Sequence, residues 1–267
     1  MQDLLSRARG ELRHHPLEQR VRAQLGAETA VDSTRAILVW EPRRVVPSYA
    51  VPAEDIRAEL AAAPAENGQA AGVLHPGIPF HVHTAAGSPV SIGDRSGAGF
   101  GLDDADLDGY VVLDFSAFDE WYEEDERIEG HAREPFHRVD VRRSARAVRI
   151  EVDGEVVAET TRARVLYETW LPVRFYVPRE DIRAELHPSE RTTYCPYKGR
   201  ASYWSVYAGG RLRKDLGWTY EEPLPDGPPV AGLVAFWDER VDVFVDGELR
   251  ARPGGPIAEA LADEFKV

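Results

Sequence analysis

One heptapeptide, Glu-Asp-Ile-Arg-Ala-Glu-Leu, occurs twice in this chain, at residues 54–60 and again at 180–186. Each copy closes a longer passage of related text. STRAILVWEPRRVVPSYAVPAEDIRAEL ends at Leu60 and TRARVLYETWLPVRFYVPREDIRAEL ends at Leu186. A second string, Thr-Tyr-Cys-Pro-Tyr-Lys-Gly at 193–199, occurs once. The chain therefore reads as two versions of one unit, the second carrying something the first lacks. A weaker correspondence in the right order marks the end of each unit, pairing Asp119 with Asp242 and Trp121 with Phe244.

Local pattern assigns the elements. Leu17, Val21 and Leu25 recur at helical spacing, Pro16 suits a first helical turn and Gly26 a C-terminal cap, so residues 1–31 are expected to form a helical extension. The acidic start of each Glu-Asp-Ile-Arg-Ala-Glu-Leu is expected to open a helix. Val148, Ile150 and Val152 alternate with Arg149 and Glu151, and Asp153-Gly154 supplies a two-residue hairpin turn. Gly209-Gly210 and Asp246-Gly247 repeat that signal. Short runs rich in Val and Tyr between such turns predict antiparallel β structure. Residues 257–265 (IAEALADEF) predict a short C-terminal helix. The expected organisation is an N-terminal helical extension (1–31), a degenerate first repeat (32–141), a second repeat with the CPYKG motif (142–252) and a helical tail (253–267).

Charge narrows the function classes. With 267 residues and a formal net charge of −14, the chain is a poor candidate for binding nucleic acid or an anionic membrane, both of which need basic patches. Cys195 is the single cysteine, which rules out an intrachain disulfide and a cysteine-rich zinc site and fits a reducing, cytoplasmic setting. No apolar stretch reaches membrane-spanning length. A homo-oligomer is left open.

The chemistry-bearing residues cluster in the second unit. Cys195 and Lys198 stand three apart, and a cation beside a thiol favours the thiolate, so the pair are the candidate catalytic residues. Lysine is used only at 198, 214 and 266, against 29 arginines, so Lys198 stands out as a point charge for an anionic group. Arg174, Tyr176, Glu180 and Asp181 flank the turn at Pro178, and with Tyr194, Tyr197 and Trp204 they form the candidate ligand-binding set. For Glu180 and Asp181 the alternative is a purely capping role. His81 and His83 are two apart on a predicted strand and share a face, which makes them the weak candidate for a metal, with His131, His137 or Glu123 as a third ligand. Neither metal nor cofactor is expected otherwise. Asp104, Asp106 and Asp108 have calcium-loop spacing but lack its glycine and distal glutamate.

The passages VDGEVVAET (152–160), YETWLPVRFYVPREDI (167–182), TTYCPYKGRASYWSV (192–206) and VAFWDERVDVFVDGE (234–248) resemble the family catalogued as domain of unknown function 427, sometimes labelled a nucleotidyltransferase domain. Residues 32–141 resemble the degenerate first repeat of its tandem members. The resemblance implies a mainly β protein with short helices, made of two tent-like antiparallel β domains in which two sheets meet over a pocket. The paired CxxC zinc motifs of more distant tent-like proteins are missing here. No phosphate-binding glycine loop and no Gly-Ser with Asp-x-Asp supports the nucleotidyltransferase label. The expected function is a small-molecule pocket for a planar or anionic ligand in the second unit, with group transfer as its catalytic version. A metabolite-binding module and a structural assembly module are the non-enzymatic alternatives.

Overall fold

The computed structural model describes residues 7–66 and 68–267. It divides between Glu134 and Pro135 into two units. The chain is mainly β, and all of its sheets are antiparallel. No described helix is long and apolar enough to cross a membrane.

Unit one holds strands β1 (Arg13–Pro16), β2 (Val21–Leu25), β3 (Glu28–Ser33), β4 (Ile37–Trp40), β5 (Ser48–Pro52), β6 (Leu60–Ala62), β7 (Gly87–Ile92), β8 (Arg95–Leu102), β9 (Tyr110–Leu113), β10 (Glu120–Glu123) and β11 (Glu126–Ile128). They form a seven-stranded sheet, β1-β4-β5-β9-β8-β7-β6, and a four-stranded sheet, β11-β10-β2-β3. Unit two holds β12 (Val139–Arg143), β13 (Val148–Val152), β14 (Glu155–Thr160), β15 (Arg164–Glu168), β16 (Arg174–Val177), β17 (Leu186–Cys195), β18 (Gly199–Ala208), β19 (Arg211–Tyr220), β20 (Val234–Phe236), β21 (Asp242–Val245), β22 (Glu248–Leu249) and helix α1 (Pro256–Phe265). Its sheets run β12-β15-β16-β20-β19-β18-β17 and β14-β13-β21-β22. The strand order of the second unit follows that of the first, position by position.

The N-terminal helical extension is not observed: β1, β2 and the first part of β3 lie within that stretch, and residues 1–6 lie outside the described residues. The spacing misled because residues four apart share a face in a strand as well as in a helix. Val21 and Ala23 are buried with a period of two, and Gly26, at φ 58°, sits in the turn joining β2 to β3 rather than capping a helix. The two Glu-Asp-Ile-Arg-Ala-Glu-Leu segments also differ from expectation. Each begins in a 3-10 turn, Ala53–Asp55 or Arg179–Asp181, and then extends into a strand starting at Leu60 or Leu186. The acidic pair serves tertiary bonds instead of a helix dipole. Asp55 accepts from Ser33 and Arg35, and Asp181 accepts from Thr160 and Arg162.

Register corrects the terminal correspondence by one residue. Trp121 stands opposite Ala23, and Val243 stands opposite Ile150 at the matching place, so Trp121 corresponds to Val243 and not to Phe244. One residue matters because it turns the side chain to the other face of the sheet. The three glycine turns all form as expected, with Asp153-Gly154, Gly209-Gly210 and Asp246-Gly247 at positive φ between β13 and β14, β18 and β19, and β21 and β22.

Each seven-stranded sheet uses one face for its main core. In unit two, Val165, Phe175, Val177, Val206, Val234 and Phe236 pack against Val148, Ile150, Val243 and Val245 of the smaller sheet. The alternate residues point the other way, because successive side chains of a strand face opposite sides. That second face carries Leu166, Tyr176, Tyr203, Trp218, Tyr220 and Trp237. The corresponding face of unit one is mostly aliphatic, with Ile37, Val39, Leu102, Leu107 and Val112 around Phe100.

Candidate functional site

The aromatic face of unit two borders a buried set of charges. Glu168 ends β15 and Lys198 lies in the turn joining β17 to β18, immediately before Gly199 at φ 91°. Lys198 donates to the Glu168 carboxylate, and both side chains are buried. His137 Nε2 lies 3.0 Å from the same carboxylate oxygen, and its ring stacks on Tyr197 at 4.1 Å. Burial by itself would raise the Glu168 carboxyl, but the Lys198 charge and the bonds from His137 and Lys198 hold it at about 2. Burial would likewise lower the Lys198 ammonium, and the Glu168 carboxylate reverses this and holds it above its ordinary value. The pair is therefore ionised and internally neutral. Tyr176 accepts a 3.1 Å hydrogen bond from Trp218 Nε1, and burial pushes its phenol up.

A second cation at this face is also matched. Arg174 donates to both oxygens of Glu239 at 2.8 and 2.7 Å and lies 3.6 Å from Asp238. Its guanidinium stands 5.7 Å from the Trp218 ring centre and 5.3 Å from that of Trp237. Burial raises Asp238 to about 6 in spite of Arg174 and Arg250, because Arg174 spends its two-pronged geometry on Glu239. Trp218 and Trp237 lie 4.5 Å apart, ring centre to ring centre.

The structure brings together Arg174, Tyr176, Tyr197 and Lys198 from the expected set. Cys195 is a half-buried free thiol at the end of β17, three residues before Lys198. Tyr194 is half-buried on the same strand, paired in register with Arg200. Glu180 and Asp181 stand elsewhere, bonded to Arg162 and Thr160. Trp204 turns to the main core and lies under Arg179 at 4.5 Å, because Tyr203, its neighbour, takes the aromatic face. Lys198 is buried and bonded to Glu168 rather than standing as an open point charge. Glu168, His137, Trp218 and Trp237 complete the set. Glu168 had a legible signal, since the first unit keeps Glu41 at the matching point of the related text.

His81 and His83 do not lie on a strand, since β7 begins at Gly87. Half-exposed His81 faces Glu66 at 3.3 Å, whereas His83 Nδ1 lies 2.8 Å from buried Glu41. Among the described residues no three His, Cys, Asp or Glu side chains gather as a metal site would require. Cross-strand register equates Ala50 with Tyr176 and Phe100 with Trp218. The His83 ring stacks on Phe100 at 3.5 Å, so unit one fills with its own histidine the space beside this aromatic position. Asp104 caps a 3-10 turn by accepting from Asp106 N.

Residues 140–247 match the model of a family described as a domain of unknown function, DUF427. No curated protein matches the chain.

Proposed function

With a DUF427 domain at residues 140–247 as the premise, we propose that the second unit is a binding module for a small, planar, uncharged molecule held on the Tyr176, Trp218 and Trp237 rings. The observation that carries this reading is the charge balance of the aromatic face. Lys198 is matched by Glu168, and Arg174 by Glu239 and Asp238. A phosphorylated or carboxylated ligand would have to take a cation from a buried carboxylate, which costs several kcal/mol for the charge left unpaired. A planar ring needs only stacking, worth about 1–3 kcal/mol per base-sized ring. The same balance argues against nucleotidyl transfer, which needs free positive charge at the phosphates. The two units are internal copies of one tent-like domain in this reading, the first having lost the aromatic face.

Titration of the full chain with adenosine and with AMP, followed by tryptophan fluorescence, tests the reading. Adenosine should bind more tightly than AMP, and Trp218→Leu should weaken it by about tenfold or more, the equivalent of one stacking contact. Tighter binding of AMP, or binding of adenosine that Trp218→Leu leaves unchanged, would overturn it.

A further inference from the structure

The aromatic face already has an aromatic occupant. Phe265, at the end of α1, packs its ring on Trp237 with centres 5.3 Å apart, and Val267 joins the same cluster. Arg191 Nη2 donates to the Phe265 carbonyl at 2.7 Å, while its guanidinium lies 4.8 Å over the Tyr203 ring. The end of α1 is shaped for this pose. Lys266 adopts the left-handed conformation at φ 55°, and the N–H of Val267 bonds the carbonyl of Ala262 at 3.0 Å. This Schellman closure usually employs glycine, and a lysine there works against its own backbone preference.

Apart from Ala258, residues of α1 are half-buried or exposed. The helix has no side-chain cap at its N-terminus. It follows Pro253-Gly254-Gly255, where Gly255 is at φ 89° and a Cβ on either glycine would meet nothing. Such a joint lets the helix pivot at little backbone cost. Beneath it, Trp237 is 5% exposed and its Nε1 has no hydrogen-bond partner. A buried donor without a protein acceptor is unusual, and Trp237 Nε1 is free to take one. Burial also raises the Glu264 carboxyl to about 7, as expected of a helix end pressed onto apolar surface.

We propose that residues 256–267 are a displaceable internal occupant, with Phe265 holding the place of an aromatic compound that carries a carbonyl oxygen. Such a ligand presents its ring to Trp237 and its oxygen to Arg191, and a further acceptor would satisfy Trp237 Nε1. Its entry swings α1 away on the glycine joint. This inference rests on the planar-ligand reading of the same face and adds the ligand class and the means of control.

The test uses the full chain and N-acetyl-L-phenylalanine amide, a neutral compound with one ring and two carbonyls. Affinity falls by the fraction of molecules whose site is open, so loosening the occupant should tighten binding. Phe265→Ala should bind the probe about tenfold or more tightly than the unaltered chain. Saturating probe should also speed amide hydrogen exchange in residues 257–265 of the unaltered chain. Ala258→Asp, which unseats the helix at its one fully buried residue and leaves Arg191 and Trp237 intact, should shift affinity the same way if Phe265→Ala folds poorly. Equal affinities with unchanged helix exchange, alongside normal adenosine binding, would overturn the occupant while leaving the pocket in place. Failure of all three proteins to bind either the probe or adenosine would overturn both.

Discussion

The Lys198 ammonium bonds the Glu168 carboxylate, joining two side chains that are both buried and lie thirty residues apart in the chain. Neither charge is available to solvent, and each fixes the ionisation of the other. This pair governs how unit two responds to substitution and to acid.

Removing one partner strands the other. Lys198→Met leaves Glu168 buried with His137 as its remaining neighbour and should destabilise unit two by roughly 3–5 kcal/mol. Lys198→Met combined with Glu168→Leu should recover most of that loss, because replacing a buried ion pair with apolar groups is often neutral. Urea unfolding followed by tryptophan fluorescence measures both variants. A cost below about 0.5 kcal/mol for Lys198→Met, the range for an exposed side chain, would contradict the buried pairing.

Acid should act through the same carboxylate. Glu168 is held at about 2 in the folded chain against 4.5 ordinarily, so the folded state binds its proton less readily than the unfolded state. The stability it contributes is therefore fully present above pH 4.5 and is lost as the pH falls from there toward 2. Unfolding midpoints collected from pH 6 to 2.5 should show this loss. Glu168→Gln should start from a lower midpoint at pH 6 and show a flatter decline below 4.5. An unchanged slope in that variant would assign the acid response to other carboxylates.

The two units should respond alike to a matched pair of changes. Asp55 ties Ser33 and Arg35 to its 3-10 turn, and Asp181 ties Thr160 and Arg162 in the same way. Asp55→Asn and Asp181→Asn should each cost about 1 kcal/mol, typical of a partly exposed hydrogen-bonded charge. Hydrogen exchange resolved by unit is the right measurement, since two units need not unfold together. The loss should be confined to β3 and β4 for Asp55→Asn and to β14 and β15 for Asp181→Asn. A cost in one unit and none in the other would break the equivalence.

Sequence alone determined the mainly β character, the C-terminal helix and all three hairpin turns. Those follow from neighbours: a glycine at positive φ and alternating Val and Ile act over two to six residues. The doubled Glu-Asp-Ile-Arg-Ala-Glu-Leu is legible as well, and the two units that carry it have matching strand orders. Arg174, Tyr176 and Lys198 could be singled out because their residue types stand out beside a turn. Their state could not. Whether Lys198 meets water or Glu168 depends on where the β17–β18 turn falls relative to the end of β15, and the strands β16, β20, β19 and β18 follow β15 across the sheet. Tyr203 and Trp204 are adjacent, yet opposite faces of one strand assign the first to the aromatic face and the second to the core. Only tertiary structure chose between them. The N-terminal strands illustrate the same limit, because a four-residue spacing places side chains together on a helix and on a strand, and the pairing of β2 with β10, almost a hundred residues away, decided which formed.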